Sequence, residues 1–263
     1  PHISGIAALV VDALGGYSSW SWDSSHSLLV KMVILMTAVK WRGVEDTSEH
    51  PLPSDPRTSP KDNIVGYGAA QADAAIMAVT NPLLVGGSYV YSLGSSSTDI
   101  KDIVMAPKVW AGYVDLTTGK TYRFSLDVPS TGDFDLYLFS GSPDEYGQPV
   151  LVAESEEGYG VDEVIEFSPS ASGRYYVVVK WYDPRYEGYQ LNQNYGQFNL
   201  TIREINPPSV GIVYPADKSK VTGPFTLKVL ADDDEGISTV EVSIDGGAWT
   251  DITSNYNSTS GYY

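Results

Sequence analysis

Asp133-Phe134-Asp135-Leu136-Tyr137-Leu138-Phe139, and further on Gly173-Arg174-Tyr175-Tyr176-Val177-Val178-Val179, decide how this chain is read. In the first stretch Phe134, Leu136 and Leu138 alternate with Asp135 and Tyr137, a period of two that fits a β-strand with two different faces. The same period recurs in Tyr122-Phe124-Leu126, in Tyr175-Val177-Val179 and in Phe198-Leu200-Ile202. Between these runs stand the turn clusters Pro129-Ser130-Thr131-Gly132, Ser140-Gly141-Ser142-Pro143 and Ser170-Ala171-Ser172-Gly173. Short strands at this spacing predict an antiparallel β-sandwich, jelly-roll-like, over residues 82–205.

Toward the N-terminus the period changes. Ile3, Ile6, Ala7, Val10, Val11 and Leu14 recur at helical spacing until Gly15-Gly16, and so few polar positions predict a helix buried nearly all round. Trp22 and Asp23 mark the start of a second helix carrying Leu28, Leu29, Met32, Val33, Met36 and Val39. Trp41 to Asn63, with its Pro-containing dipeptides and charges, reads as a long surface loop closed by Gly66-Tyr67-Gly68. Ala69 to Val79 reads as an Ala-rich third helix ended by Asn81-Pro82. Residues 1–81 are therefore expected to form a helical segment of a larger domain.

Toward the C-terminus Pro207-Pro208 opens a third segment, residues 206–263. Strands are expected at Val210-Ile212-Val213, Phe225-Leu227-Val229 and Val240-Val242-Ile244, with Asp245-Gly246-Gly247 as a hairpin turn. That is fewer strands than the roughly seven of an immunoglobulin-like sandwich, so a truncated one is expected. The fold class read from the whole chain is multidomain.

The length of 263 residues suits about two or three compact domains. With 33 acidic against 16 basic side chains the net charge is -17, which argues against a nucleic-acid partner and against an anionic membrane surface. There is no cysteine, hence no disulfide framework and no thiolate metal site. The most apolar stretch, Leu28 to Val39, is interrupted by Lys31 and falls well short of the roughly 20 residues of a membrane helix. Abundant Tyr, scarce Lys and Arg, and strands punctuated by Gly, Ser, Thr and Asn suit a secreted or cell-surface protein.

The first residues, Pro1-His2-Ile3-Ser4-Gly5-Ile6-Ala7-Ala8-Leu9, resemble the second half of the nucleophile motif of subtilisin-like serine proteases, Gly-Thr-Ser-Met-Ala-x-Pro-His-Val-x-Gly. The order that follows is similar to the end of that family's α/β catalytic domain: a Trp-containing turn, a helix with Val30-Lys31 and Thr37-Ala38, a loop, then Gly66-Tyr67-Gly68-Ala69-Ala70-Gln71-Ala72-Asp73. The resemblance implies that residues 1–81 are the helical C-terminal remnant of such a domain, with the nucleophile Ser four residues before Pro1. The loop at 42–63 is longer than in compact members. Thr118-Gly119-Lys120-Thr121-Tyr122, the acidic strand at 133–139 and Gly173 to Val179 resemble the pre-peptidase C-terminal domain of secreted peptidases. Asp232-Asp233-Asp234-Glu235-Gly236-Ile237 before the hairpin resembles an immunoglobulin-like extracellular module.

His2 invites assignment as a general base, but the family's order is Asp, then His, then Ser, so the triad His lies upstream and His2 is structural. His26 and His50 sit in a turn and in the charged loop, and Ser4 in a helix body, so no catalytic residue is expected in this chain. Asp133 and Asp135 share one strand face about 7 Å apart. Near them lie Glu154, Glu156, Glu157, Asp162 and Glu163. Such carboxylates suit either a solvated face or oxygen ligands for calcium. Asp232-Asp233-Asp234 lacks the calcium-loop spacing and reads as a polar turn. Trp181, Tyr182, Tyr186, Tyr189 and Tyr195 would form a platform for a sugar or protein, or pack over the sandwich end. Asn199-Leu200-Thr201 and Asn257-Ser258-Thr259 satisfy the glycosylation sequon.

These readings lead to one expectation: the C-terminal fragment of a secreted serine endopeptidase, inactive by itself, whose parent meets protein or peptide substrates. The alternative is a non-catalytic adhesion or substrate-binding chain built of β-sandwich modules.

Overall fold

The computed structural model describes residues 1–16, 19, 24–39, 67–182, 184, 188–206, 208–233 and 236–263. Trp22-Asp23, the loop with His50, Gly66, Tyr186 and Asp234-Glu235 lie outside them. The chain divides into two compact units, Pro1–Glu204 and Ile205–Tyr263.

In the first unit the described residues form three helices ahead of the strands: α1 (His2–Ala13), α2 (Ser24–Met36) and α3 (Ala72–Thr80). Thr37, placed after α2, donates its hydroxyl to the Val33 carbonyl at 2.7 Å and so serves the last turn of that helix. Val39 and Ala69 then exchange both backbone hydrogen bonds, at 3.0 and 2.8 Å. α3 stops at Asn81 because Pro82 disfavours helical geometry in the residue before it. The first helix differs from expectation. Only Val10 of α1 is buried, and Ile3 and Leu9 are 55% and 49% exposed.

The strands form two sheets. β1 (Pro82–Leu83), β3 (Val109–Leu116), β5 (Phe134–Ser140), β6 (Leu151–Ser155) and β8 (Gly173–Trp181) make one, in the order β1-β3-β8-β5-β6. β2 (Ser88–Gly94), β4 (Thr121–Asp127), β7 (Glu163–Phe167) and β9 (Tyr195–Ile205) make the other, in the order β2-β9-β4-β7. A short helix, α4 (Ile100–Met105), joins β2 to β3. Phe134 and Trp110 of the five-stranded sheet meet Phe198 of the four-stranded one edge-on, with centroids 6.3 and 5.7 Å apart. That contact fixes the inner face, where aromatic and aliphatic side chains from both sheets interdigitate.

The outer face of the five-stranded sheet is buried as well. Ala111, Tyr176, Val178, Tyr137 and Phe139 all point there and all are buried. The helices cover it: α3 lies on β3, and one hydrophobic core runs from Met32, Met36, Ala75 and Ala78 into Val178 and Tyr176. Residues 1–81 and the strands that follow thus share a unit and a core. The continuous apolar run from Tyr175 to Val179 is the local expression of a strand buried on both sides.

The second unit pairs β10 (Ser209–Tyr214) with β11 (Lys228–Asp232), and β12 (Glu241–Val242) with β13 (Thr250–Asp251). Tyr263 extends the first pair by exchanging backbone hydrogen bonds with Val229, at 3.0 and 3.2 Å. Phe225 and Leu227, expected within a strand, precede β11, and Ile244 lies beyond β12. The hairpin turn is as read: Asp245 and Gly246 both have positive φ, 53° and 72°, the combination that a two-residue primed turn requires.

Candidate functional site: a buried carboxyl cluster

β5 carries Asp133 just before it and Asp135 within it, on the side opposite Phe134 and Leu136. Alternation puts both acids on the outer face, as expected, but that face is not solvated: Asp133 and Asp135 are 3% and 6% exposed. Glu163, at the start of β7, is 1% exposed and comes close to the same cluster.

Hydrogen bonds organise these groups. The Tyr137 hydroxyl lies 3.1 Å from Asp135 Oδ2 and also reaches Glu156 Oε1. Glu163 accepts from the Ser155 hydroxyl and, at 2.8 Å, from the Glu157 backbone N–H. Lys180, opposite Asp135 on β8, holds its ammonium 5.2 Å from the centre of the Tyr137 ring. Burial is the largest influence on Asp135, followed by the carboxylates of Asp133, Glu156 and Glu163, and together they raise its carboxyl well above the ordinary range. Burial, with Asp135 and Glu156 beside it, also pushes the Tyr137 phenol well up, so Tyr137 is a hydrogen-bond donor here. Burial raises Glu163, opposed by its bonds to Ser155 and Glu157.

Among the described residues no group of three or more His, Cys, Asp or Glu side chains is arranged to hold a metal ion. Asp135 and Glu156 share a phenol, and Glu163 is engaged by a hydroxyl and an amide.

One organising residue was not singled out in the sequence. Asn194 is fully buried, and its amide donates to the carbonyls of Asp133 and Tyr182, at 2.9 and 2.7 Å, while accepting from the Asp133 N–H at 2.9 Å. Its own carbonyl accepts the Trp181 indole N–H at 2.9 Å. One of two asparagines in the stretch Gln190-Leu191-Asn192-Gln193-Asn194, it gives no local sign of this. The aromatic group divides: Trp181 is core, whereas Tyr189 is 41% exposed and stacks on Tyr159 at 5.1 Å. His2 opens α1 at an exposed position. Asn199 is in mid-strand, accepting from Ser88 at 2.6 Å and donating to Asp127, while Asn257 heads an exposed turn.

The two units are modules of the β-sandwich-like class, with helices added to the first. Residues 113–180 match the sequence model of the bacterial pre-peptidase C-terminal domain, and residues 208–263 that of a bacterial Ig domain. Both kinds of domain are typical of extracellular proteins, including the C-terminal regions of proteases, and they point to an extracellular or surface location. Among solved structures, the pre-peptidase C-terminal domain of a collagenase from Bacillus anthracis is similar at 15% identity and a TM-score of 0.34, covering 47% of this chain and 93% of that one. A periplasmic inhibitor of g-type lysozyme from Aeromonas hydrophila shows 13% identity, a TM-score of 0.30 and coverage of 47% and 95%. A surface-associated copper-binding protein from Methylomicrobium album shows 10% identity, a TM-score of 0.28 and coverage of 46% and 96%. No curated protein matches the chain. No helix among the described residues is long and apolar enough to cross a membrane.

Proposed function

We propose that this chain is the C-terminal part of a secreted subtilisin-like serine endopeptidase. Residues 1–81 would support the nucleophile helix and close the catalytic domain, and the two β-modules would be its accessory domains. The observation that carries this reading is α1. It begins with the Pro1-His2-x-x-Gly5 pattern and leaves Ile3 and Leu9 about half exposed. A helix this apolar suits the interior of a larger domain, and the resemblance gives the nucleophile helix such surroundings. The pre-peptidase C-terminal and Ig modules that follow fit a secreted protease but would equally fit an adhesion chain. Acyl transfer from an activated Ser would be the parent's chemistry, and its protein or peptide substrates would meet a cleft built upstream of Pro1.

The test is the preceding reading frame together with an assay. Gly-Thr-Ser-Met-Ala-x is expected immediately before Pro1, and the chain extended upstream should react with a fluorophosphonate serine probe. The 263-residue chain alone should not hydrolyse a generic peptide. Turnover by the chain alone would overturn the proposal. A different upstream sequence would also overturn it, and would leave the adhesion or substrate-binding reading.

A further inference from the structure

We propose that the outer face of the five-stranded sheet is a permanent seat for the helical segment of the same chain, so that cutting the peptide after β1 does not release the rest of the sandwich from residues 1–84. This goes beyond the protease reading and does not depend on it, because it concerns only how two parts of one unit hold each other.

The seat is apolar where a free-standing antiparallel sandwich would face water. Val178 and Ala111 are fully buried, and Tyr176 and Phe139 are 2% and 6% exposed. α3, which lies on β3, is built of small residues: Ala74, Ala75 and Ala78 are all fully buried, and side chains of that size let a helix approach a sheet closely. Burial on both sides of the contact is the main source of its stability.

Three long-range hydrogen bonds clasp the rim of the contact. Lys180 of β8 donates to the Ala38 carbonyl at 3.0 Å, Lys31 of α2 donates to the Tyr146 carbonyl at 2.6 Å, and the Tyr67 hydroxyl donates to Gln148 Oε1 at 2.7 Å. Gly147 lies against α2, where an added Cβ would come within 2.9 Å of the Leu28 side chain. The clasps thus join the helices to both the middle strand and the β5–β6 connection.

The junction is not a free linker. The Asn81 carbonyl accepts the Tyr113 N–H at 3.0 Å, its amide donates to the Ala111 carbonyl at 3.0 Å, and β1 pairs in parallel with β3. Beyond β1, Leu84 and Val85 are 70% and 39% exposed, so the chain can be cut there while residues 81–83 stay bonded to the sheet.

The test inserts a site-specific protease sequence between Leu84 and Val85 of the full chain. After cleavage the two pieces are expected to co-elute in gel filtration and to separate only in denaturant. Separation under native conditions, with the sandwich piece still folded by circular dichroism, would overturn the proposal. Ala75→Arg in the same cleavable chain is expected to release the pieces. Since that variant can fail to fold, hydrogen exchange on the intact wild-type chain supplies a second reading: amides of α3 should be protected to the same extent as those of β3 and β8. Exchange in α3 a hundredfold or more faster would count against a permanent seat.

Discussion

The phenolic oxygen of Tyr137 lies 3.1 Å from Asp135 Oδ2, two residues earlier on the same strand face. Its single hydrogen can go to Asp135 or to Glu156, not to both. The hydroxyl therefore stands between two carboxyl groups that compete for it, one of them on a side chain almost wholly buried.

Stability should fall with rising pH through Asp135. The Asp135 carboxyl is raised well above its ordinary value by burial and by neighbouring carboxylates. A group raised in the folded state adds stability fully below its unfolded value, about 3.9 for Asp. That contribution is lost as pH climbs through the folded value. Asp135→Asn removes the dependence, so its Tm should exceed that of wild type at pH 8, with the gap closing toward pH 4. In a domain this size each kcal/mol recovered is worth roughly 2–4 °C. Parallel Tm-against-pH curves for the two proteins would contradict a raised Asp135 carboxyl.

Calcium is the subject of a second prediction, since the alternation left Asp133 and Asp135 as candidate ligands beside the reading of a solvated face. With Asp135 and Glu156 joined through a phenol, chelation by EGTA should leave the Tm unchanged. A drop that Asp133→Ala with Asp135→Ala abolishes would instead place calcium at these two residues.

Val178 and Val164 test which sheet face is covered. Both lie in strands, yet Val178 is fully buried beneath the helices and Val164 is 49% exposed on the four-stranded sheet. Val178→Asp should cost about 3–5 kcal/mol by burying an unpaired charge. Val164→Asp should stay within about 0.5 kcal/mol of wild type. Urea unfolding of the pair measures both, and equal costs would refute the covered face.

Asn194→Ala should destabilise the first unit by about 2–4 kcal/mol, because it leaves the buried Asp133 N–H and the Tyr182 carbonyl without the amide that now serves them. Denaturant midpoints report the loss. Asn194→Asp is expected to be no better, since a carboxylate cannot donate to the Asp133 and Tyr182 carbonyls.

Read alone, the sequence determined β4, β5, β8 and β9, the residues that share a face in each, and several turns. Period two placed Phe134 and Leu136 opposite Asp135, and Asp245-Gly246 announced the hairpin, since both are properties of neighbouring residues. It also carried a likeness of residues 82–205 and 206–263 to two extracellular modules, whose sequence models match 113–180 and 208–263. Tertiary structure alone decided what lies on each face. Alternation says that Asp133 and Asp135 share a side, but whether water or a helix covers that side depends on contacts such as Lys180 with Ala38, 142 positions apart. The same holds for α1, whose composition calls for burial although no neighbour among the described residues covers Ile3. Asn194 was silent in the sequence for the same reason: its partners come from Asp133, Trp181 and Tyr182, brought to one end of the sandwich only when both sheets have closed.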